Sequence, residues 1–346
     1  MLKMKKDDKI RLGISIGDLN GIGLEVILKT FDDVRMLDFC TPIIFGSTKT
    51  ISFHKNALNL QTQIVGISNI NSIIHNKINL LNVWQESVDI NFGQAATIAG
   101  KYAYLSLNAA TEALKNNAID VLVTAPINKQ TIQSDVFHFN GHTEYLESVL
   151  GGKNLMILMD GNLRMGLATT HIPLSQVAEK ITPALIEEKI AILNESLKKD
   201  FNIQKPRIAV LALNPHSGDN GVIGNEETEI IIPTLNKIQE SGVLAFGPYA
   251  ADGFFGNKTY LGFDAILAMY HDQGLAPFKA LSFGNGVNFT AGLSKIRTSP
   301  DHGTAFDIAG KGTADFQSFK SAVYSAIDIF RNRERYCDLK ENKLKA

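Results

Sequence analysis

Short apolar runs bounded by glycine, proline, asparagine and aspartate alternate along this chain with longer stretches whose apolar positions recur at helical spacing. Residues 9–17 set Leu12, Ile14 and Ile16 on one face and predict a first strand. The turn Gly17-Asp18-Leu19-Asn20-Gly21-Ile22-Gly23-Leu24-Glu25 then opens a helix over 26–31. Strand patterns return at 42–45, 63–67 and 80–84. The stretch 93–117 carries alanine, leucine and tyrosine at helical spacing, which makes Tyr102 and Tyr104 packing residues. A strand over 119–124 ends at Ala125-Pro126-Ile127-Asn128-Lys129. Thr143 is placed to cap a helix over 144–150. The runs 155–159 and 165–169, joined around Asp160-Gly161-Asn162, predict a hairpin. Helices follow at 183–199, with Pro183 first after Thr182, and at 225–240, whose first turn is acidic. The segment 249–255 reads as a loop with one carboxylate, Asp252. Glycine-rich 283–293 leads to Arg297, and a last helix covers 315–330. Strands alternating with helices in this way predict a layered α/β fold, with no internal repeat or flexible linker.

Three of the apolar runs end in a histidine. Residues 164–170 end at His171-Ile172-Pro173, and 208–215 end at His216-Ser217-Gly218. The run 265–269 delivers His271 and Asp272 into a glycine/proline turn, with Lys279 following. Continuous apolar runs fit strands buried on both faces of a parallel sheet. In such sheets ligands bind beyond the carboxyl ends of the strands. Three neutral imidazoles converging there would make a metal site with room for substrate. Their spacing matches no short zinc signature, so the metal reading depends on the fold. A second candidate lies at Asn140-Gly141-His142-Thr143-Glu144, where a helix start offers amides, a histidine and a hydroxyl to a phosphate. The first loop spaces its glycines G-x-x-x-G-x-G, which is not the dinucleotide fingerprint.

Composition narrows the function classes. The 346 residues are 45% hydrophobic and 20% charged, ample for a sizeable core and suggestive of two domains. A net charge of −1 offers no basic stripe for nucleic acid or an anionic membrane. The charged tails, 3–9 and 331–345, read as solvated ends. No apolar run approaches the roughly 18 residues of a membrane span, and the start lacks a signal-peptide core. Cys40 and Cys337 stand far apart and outside any cysteine/histidine cluster, as free thiols in a reducing cytoplasm would.

Four motifs in one order carry a family resemblance: Gly141-His142-Thr143-Glu144, Thr170-His171-Ile172-Pro173, Leu213-Asn214-Pro215-His216-Ser217-Gly218 and Tyr270-His271-Asp272-Gln273-Gly274-Leu275. Together they resemble the 4-hydroxythreonine-4-phosphate dehydrogenase family of pyridoxal phosphate biosynthesis, over nearly the whole chain. The resemblance implies an isocitrate/isopropylmalate dehydrogenase-like fold, two α/β domains with an interdomain cleft. The expected domains are 1–130 plus 300–346, and 131–299. It implies a homodimer with shared active sites, in which one divalent ion (zinc, magnesium or cobalt) is held by His171, His216 and His271. The first two would come from one subunit and His271 from its partner. Substrate-binding positions match His142, Thr143, Lys279, Asn288 and Arg297. Asp252 and Asp272 match supporting aspartates, and with Lys279 they are the candidate catalytic groups. A second resemblance, of Asp301-His302-Gly303-Thr304-Ala305-Phe306-Asp307 through Gly312, is to the adenosine-binding loop of β-decarboxylating dehydrogenases. It implies NAD held by His302, Gly303, Thr304 and Asp307.

The implied reaction oxidises 4-phosphooxy-L-threonine with NAD and decarboxylates the product to 3-amino-2-oxopropyl phosphate. The alternatives are a paralogous dehydrogenase of another phosphorylated hydroxyacid, such as erythronate 4-phosphate, and a metal-dependent phosphohydrolase, which would need no NAD. A catalytically silent phosphoester-binding protein is a third. The chain departs from the family at the first loop, where Leu19-Asn20 and Leu24 replace a Pro-Ala pair and a second proline. Two fixed φ angles are lost there, while the glycines and both acids remain.

Overall fold

The computed structural model describes residues 9–342, so the tail residues 1–8 and 343–346 lie outside the described residues. In chain order the elements are β1 (Ile10–Ser15), α1 (Gly23–Thr30), β2 (Cys40–Gly46), α2 (Thr48–Ala57), β3 (Ile64–Ile67), β4 (Ile78–Asn82), α3 (Thr97–Lys115), β5 (Val121–Thr124) and α4 (His142–Leu150). There follow β6 (Gly152–Asp160), β7 (Leu163–Leu167), α5 (Val177–Lys180), α6 (Pro183–Lys199), β8 (Arg207–Leu211), α7 (Ile232–Glu240), β9 (Leu244–Tyr249), α8 (Ala251–Gly256), β10 (Ala265–Ala268), α9 (His271–Ser282), β11 (Val287–Leu293), β12 (Ile296–Pro300) and α10 (Gln317–Glu341).

Among the described residues, 9–151 with 294–330 form one compact unit, and 152–293 with 331–342 form the other. Relative to the expected boundaries, 131–151 and 294–299 fall in the first unit and 331–342 in the second. The reason for the first difference is aromatic: Tyr145 of α4 packs on Tyr104 of α3 and on Phe137.

The first unit is a parallel sheet in the order β3-β4-β2-β1-β5-β12. Strands β2 and β5 are buried along their whole length, as the continuous apolar runs require. Helix α3 buries Ala99, Ala103, Leu107, Ala110 and Leu114, a stripe at helical spacing. A polar residue, Ser106, sits on that stripe. Its hydroxyl accepts from Ile16 N–H (3.0 Å) and donates to the Phe45 carbonyl, so it caps two strand ends. Tyr102 stacks on Trp84 and donates to Glu86, which confirms its packing role.

The second unit runs β11-β6-β7-β10-β8-β9. The β6–β7 hairpin turns at Gly161-Asn162 as expected, and β11 lies antiparallel to β6. Strands β7, β10, β8 and β9 are mutually parallel. Helix α6 starts as read, with Thr182 Oγ1 accepting from Leu185 N–H at 3.3 Å.

Several local readings need correction. Thr143 does not cap α4: Gly141 does, without a side-chain bond, and Thr143 is buried in the first turn. Asp252 sits in a short helix rather than a loop. His271 opens a helix that contains Gly274 and accommodates Pro277, rather than entering a turn. The helix expected over 225–240 begins with a π-helical turn, Glu227–Ile231. The last helix continues into the charged tail, because Arg333 Nε donates to buried Asp200 at 2.6 Å. Among the described residues no helix is long and apolar enough to cross a membrane. Cys40 and Cys337 are free thiols.

One buried titratable group gives the fold a pH signature. His54 of α2 packs edge-on against Phe92 at 5.0 Å, and burial pushes its pKa down to about 4. The unfolded chain therefore binds this proton more readily than the native one. Stability is complete above the unfolded value of about 6.5 and is lost as pH falls toward 4, by roughly 3 kcal/mol. His142, also held low, adds to the same slope. Urea unfolding of His54→Leu at neutral and acidic pH should show a flatter acid decline than wild type. An unchanged decline would remove His54 from the account.

Candidate active site

In the second unit the three strand-end histidines follow neighbouring strands. His171 follows β7, His271 follows β10 and His216 follows β8, in the spatial order β7-β10-β8. Pairing continues past the strand ends: Thr169 N–H and Oγ1 both donate to the Met269 carbonyl, at 3.1 and 2.7 Å. Gln273 ties the third strand in. Its Oε1 accepts from Met269 N–H (2.8 Å) and its Nε2 donates to the Ala212 carbonyl (2.6 Å). The imidazoles of His171 and His271 consequently lie 5.8 Å apart, centroid to centroid, within one chain.

His271 Nδ1 lies 2.6 Å from Asp272 Oδ1. Because a carboxylate only accepts, this bond puts a proton on Nδ1, so in the neutral ring Nε2 carries the lone pair. Asp252, exposed on α8, makes no hydrogen bond to these histidines. His216 stands exposed at the head of a turn whose residues through Asn220 all have positive φ. Within one chain, among the described residues, no three histidine, cysteine or carboxylate side chains come close enough to hold an ion. Lys279 is exposed on α9, and Asn288 lies in β11 with its Oδ1 buried and unpaired.

The first unit carries the other predicted residues. Arg297 of β12 is fully buried, with Nε and Nη2 donating to Thr124 Oγ1 at 3.0 and 2.6 Å. Burial lowers its pKa to about 9, which leaves it charged at neutral pH, and Glu144 opposes the fall. His142 is held well below its usual value by burial, then by the charges of Arg297 and Lys129, so its ring is neutral. Its Nε2 is buried and unpaired at the start of α4. A buried cation and a neutral imidazole at a helix start are the kinds of group that suit an anion.

The loop 301–314 packs on the first loop of the chain. Ile22 N–H donates to the Thr304 carbonyl (3.1 Å), and a side chain at Gly21 would come within 2.9 Å of that oxygen. Glu25 Oε1 accepts from Ala314 N–H (2.8 Å) and from Lys29 Nζ (2.7 Å). Lys29 Nζ in turn donates to the carbonyls of Gly312 and Ala314. His302 Nε2 is buried and unpaired on this loop. Sequence reasoning missed this clamp: the retained acid Glu25 was legible, but not its partner nearly the whole chain away.

Comparison with known proteins fits this layout. Residues 38–326 match the family model described as pyridoxal phosphate biosynthetic protein PdxA. The chain belongs to the PdxA family. It is 53% identical to a 4-hydroxythreonine-4-phosphate dehydrogenase of Bacteroides thetaiotaomicron, over 98% of this chain and 94% of that one. A crystal structure of the Burkholderia phymatum protein of that name aligns with TM-score 0.76 and 36% identity, covering 93% and 99% of the two chains. Isocitrate dehydrogenase of Methylococcus capsulatus aligns with TM-score 0.51 at 12% identity, over 96% and 89%. That likeness shows the fold alone, and it is the isocitrate dehydrogenase-like α/β fold expected. As a PdxA-family member the protein is a dehydrogenase of pyridoxal phosphate biosynthesis.

The clamp on loop 301–314 is testable without any ligand. Glu25→Ala strands the Ala314 amide and should cost about 1–3 kcal/mol. Amides over 312–316 should exchange faster with deuterium, while those of β8 and β10 keep wild-type protection. Unchanged exchange at Ala314 would show that Glu25 does not anchor the loop.

Proposed function

We propose that this chain oxidises 4-phosphooxy-L-threonine with NAD and decarboxylates the product to 3-amino-2-oxopropyl phosphate. The observation that carries the reading is the set of three histidines beyond adjacent parallel strand ends, one with its tautomer set by Asp272. In the reaction, hydride leaves the carbinol carbon for the nicotinamide and the hydroxyl proton goes to a base. The bond to the carboxylate then breaks, releasing carbon dioxide; its electron pair passes into an enolate, whose α-carbon takes a proton from an acid or water to give the ketone product.

The donor set fits a divalent ion: neutral imidazoles suit zinc and cobalt, and His271 already presents a free Nε2. When bound by His171, His216 and His271, that ion supplies Lewis-acid stabilisation of negative charge at the substrate oxygen. Asp272 orients His271, and Asp252 supports the same unit from α8. Arg297, His142 and Thr143 are the anion-recognising residues of the first unit, and Lys279 and Asn288 are the substrate-binding residues of the second. Lys279 is the protein's own candidate for holding the hydroxyl proton. His302, Gly303, Thr304 and Asp307 hold the adenosine side of NAD; the unpaired His302 Nε2 fits a ligand there. The expected setting is the cytoplasm.

NADH absorbance is the deciding assay, with 4-phosphooxy-L-threonine and added zinc, cobalt or magnesium. Erythronate 4-phosphate runs in parallel. Turnover of the threonine compound alone supports the reading. Turnover of erythronate 4-phosphate alone moves the protein to a paralogous activity, and phosphate release without NADH moves it to hydrolysis.

We further propose that a second copy of this chain completes the ion site. Exposed apolar side chains follow two of the histidines closely in the chain, Leu174 at 71% and Val222 at 80% exposure, as a covered face would need. Mixing inactive His171→Ala, His216→Ala and His271→Ala proteins in pairs reads the partition. In a two-fold dimer, two of the three mixtures should regain roughly a quarter of wild-type activity, since half the dimers are mixed and each has one intact site. The mixture that stays dead names the two histidines supplied by one chain. The resemblance makes that pair His171 and His216, whereas the 5.8 Å ring separation favours His171 and His271. If subunits exchange and all three mixtures stay dead, each site is built within one chain.

A further inference from the structure

His216 is held in an unusual backbone. From His216 to Asn220, φ values of 53, 53, 75, 44 and 55° make a left-handed turn, in which four of the five residues are not glycine. Each non-glycine residue in that region costs roughly 1–2 kcal/mol. Such a turn persists only where its surroundings over-determine it.

The over-determination comes from Glu227. It opens the π-helical turn Glu227–Ile231 and is fully buried. One carboxylate oxygen accepts from Leu213 N–H and Asn214 N–H, both at 2.8 Å. The other accepts from Asn214 Nδ2 at 3.0 Å. Gly218, at φ 75°, lies against the same carboxylate: a Cβ there would come 2.6 Å from Oε2. The turn is therefore gripped before His216 and after it, and Ser217 Oγ adds a bond to the Pro248 carbonyl at 3.1 Å. His216 is left exposed between these holds. A single π-turn re-aims the side chains of an otherwise regular helix, and such turns gather at functional sites.

We infer that Glu227 is the positioning residue of His216, its carboxylate setting the left-handed turn so that the imidazole is in place before an ion arrives. This rests on the metal reading above. Glutamine is the right replacement, because it keeps the shape but presents a donor to the donor Nδ2 of Asn214. Glu227→Gln should raise the zinc dissociation constant, measured by titration against a chromophoric chelator, by roughly 10- to 100-fold. In the metal-free protein, amides over 213–224 should exchange faster while those of β7 and β10 do not change. Saturating zinc should restore most of the turnover, a rescue that a collapsed fold would not show.

His216→Ala is the control. If it keeps full zinc by elemental analysis, the metal reading fails. If it loses zinc while Glu227→Gln binds zinc as wild type does, the positioning role fails instead. Should Glu227→Gln not fold, Asn214→Ala removes one donor and spares the carboxylate. It should weaken zinc binding several-fold, and wild-type affinity in that variant overturns the inference.

Discussion

Parallel pairing of β7, β10 and β8 is the constraint on which the rest of the second unit depends. Parallel strands end at one edge, so whatever follows them gathers there. Pairing alone would let the turns splay once the ladder stops. Thr169 and Gln273 prevent this by satisfying the first backbone groups beyond the strands. A histidine after each strand thus inherits its position from backbone hydrogen bonds rather than from its own packing. That is why three exposed imidazoles can be ordered without being buried.

The first unit solves a similar problem with buried polar groups. The glycine-rich loop 301–314 has little apolar surface to bury, so Glu25 and Lys29 hold it through amide and carbonyl contacts. The first loop lacks the two prolines that the family resemblance leads one to expect, and Asn20 cross-links it instead. Its side chain donates to the Gln94 carbonyl and accepts from Asn91 N–H, while its carbonyl accepts from Gly93 N–H. A preset φ angle has been exchanged for cross-linking by a side-chain amide. The carboxylates in these roles are buried and paired, so losing either partner costs more than the pair itself contributes.

What the sequence disclosed follows from the range of each signal. The apolar runs of β2, β5 and β10, the Gly161-Asn162 hairpin and the Thr182-Pro183 helix start are local, and each was legible. Strand β11 was not, because Gly284, Gly286 and Gly292 read as a loop, while its pairing with β6 lies more than a hundred residues away. Helix α9 was hidden by Gly274 and Pro277, which local propensity counts against a helix. The end of α10 read as a solvated tail because arginine is so often exposed; Arg333 is buried against partners distant in sequence, Asp200 and the Leu293 carbonyl. The histidines could be named from strand-end context, but the left-handed turn that aims His216 has no short-range signature.

The two anchoring schemes differ in what a ligand must do. Around Arg297 and His142 the charged and neutral partners are fixed by burial, so an anion meets donors already desolvated and has little reorganisation to induce. Around His271 the tautomer is fixed by Asp272, but the ring is open to water and its histidine neighbours belong to separate loops. Water competes for every donor at that edge, whereas around Arg297 burial has already removed it, so a charge interaction of the same geometry is weaker beside His271 than in the first unit.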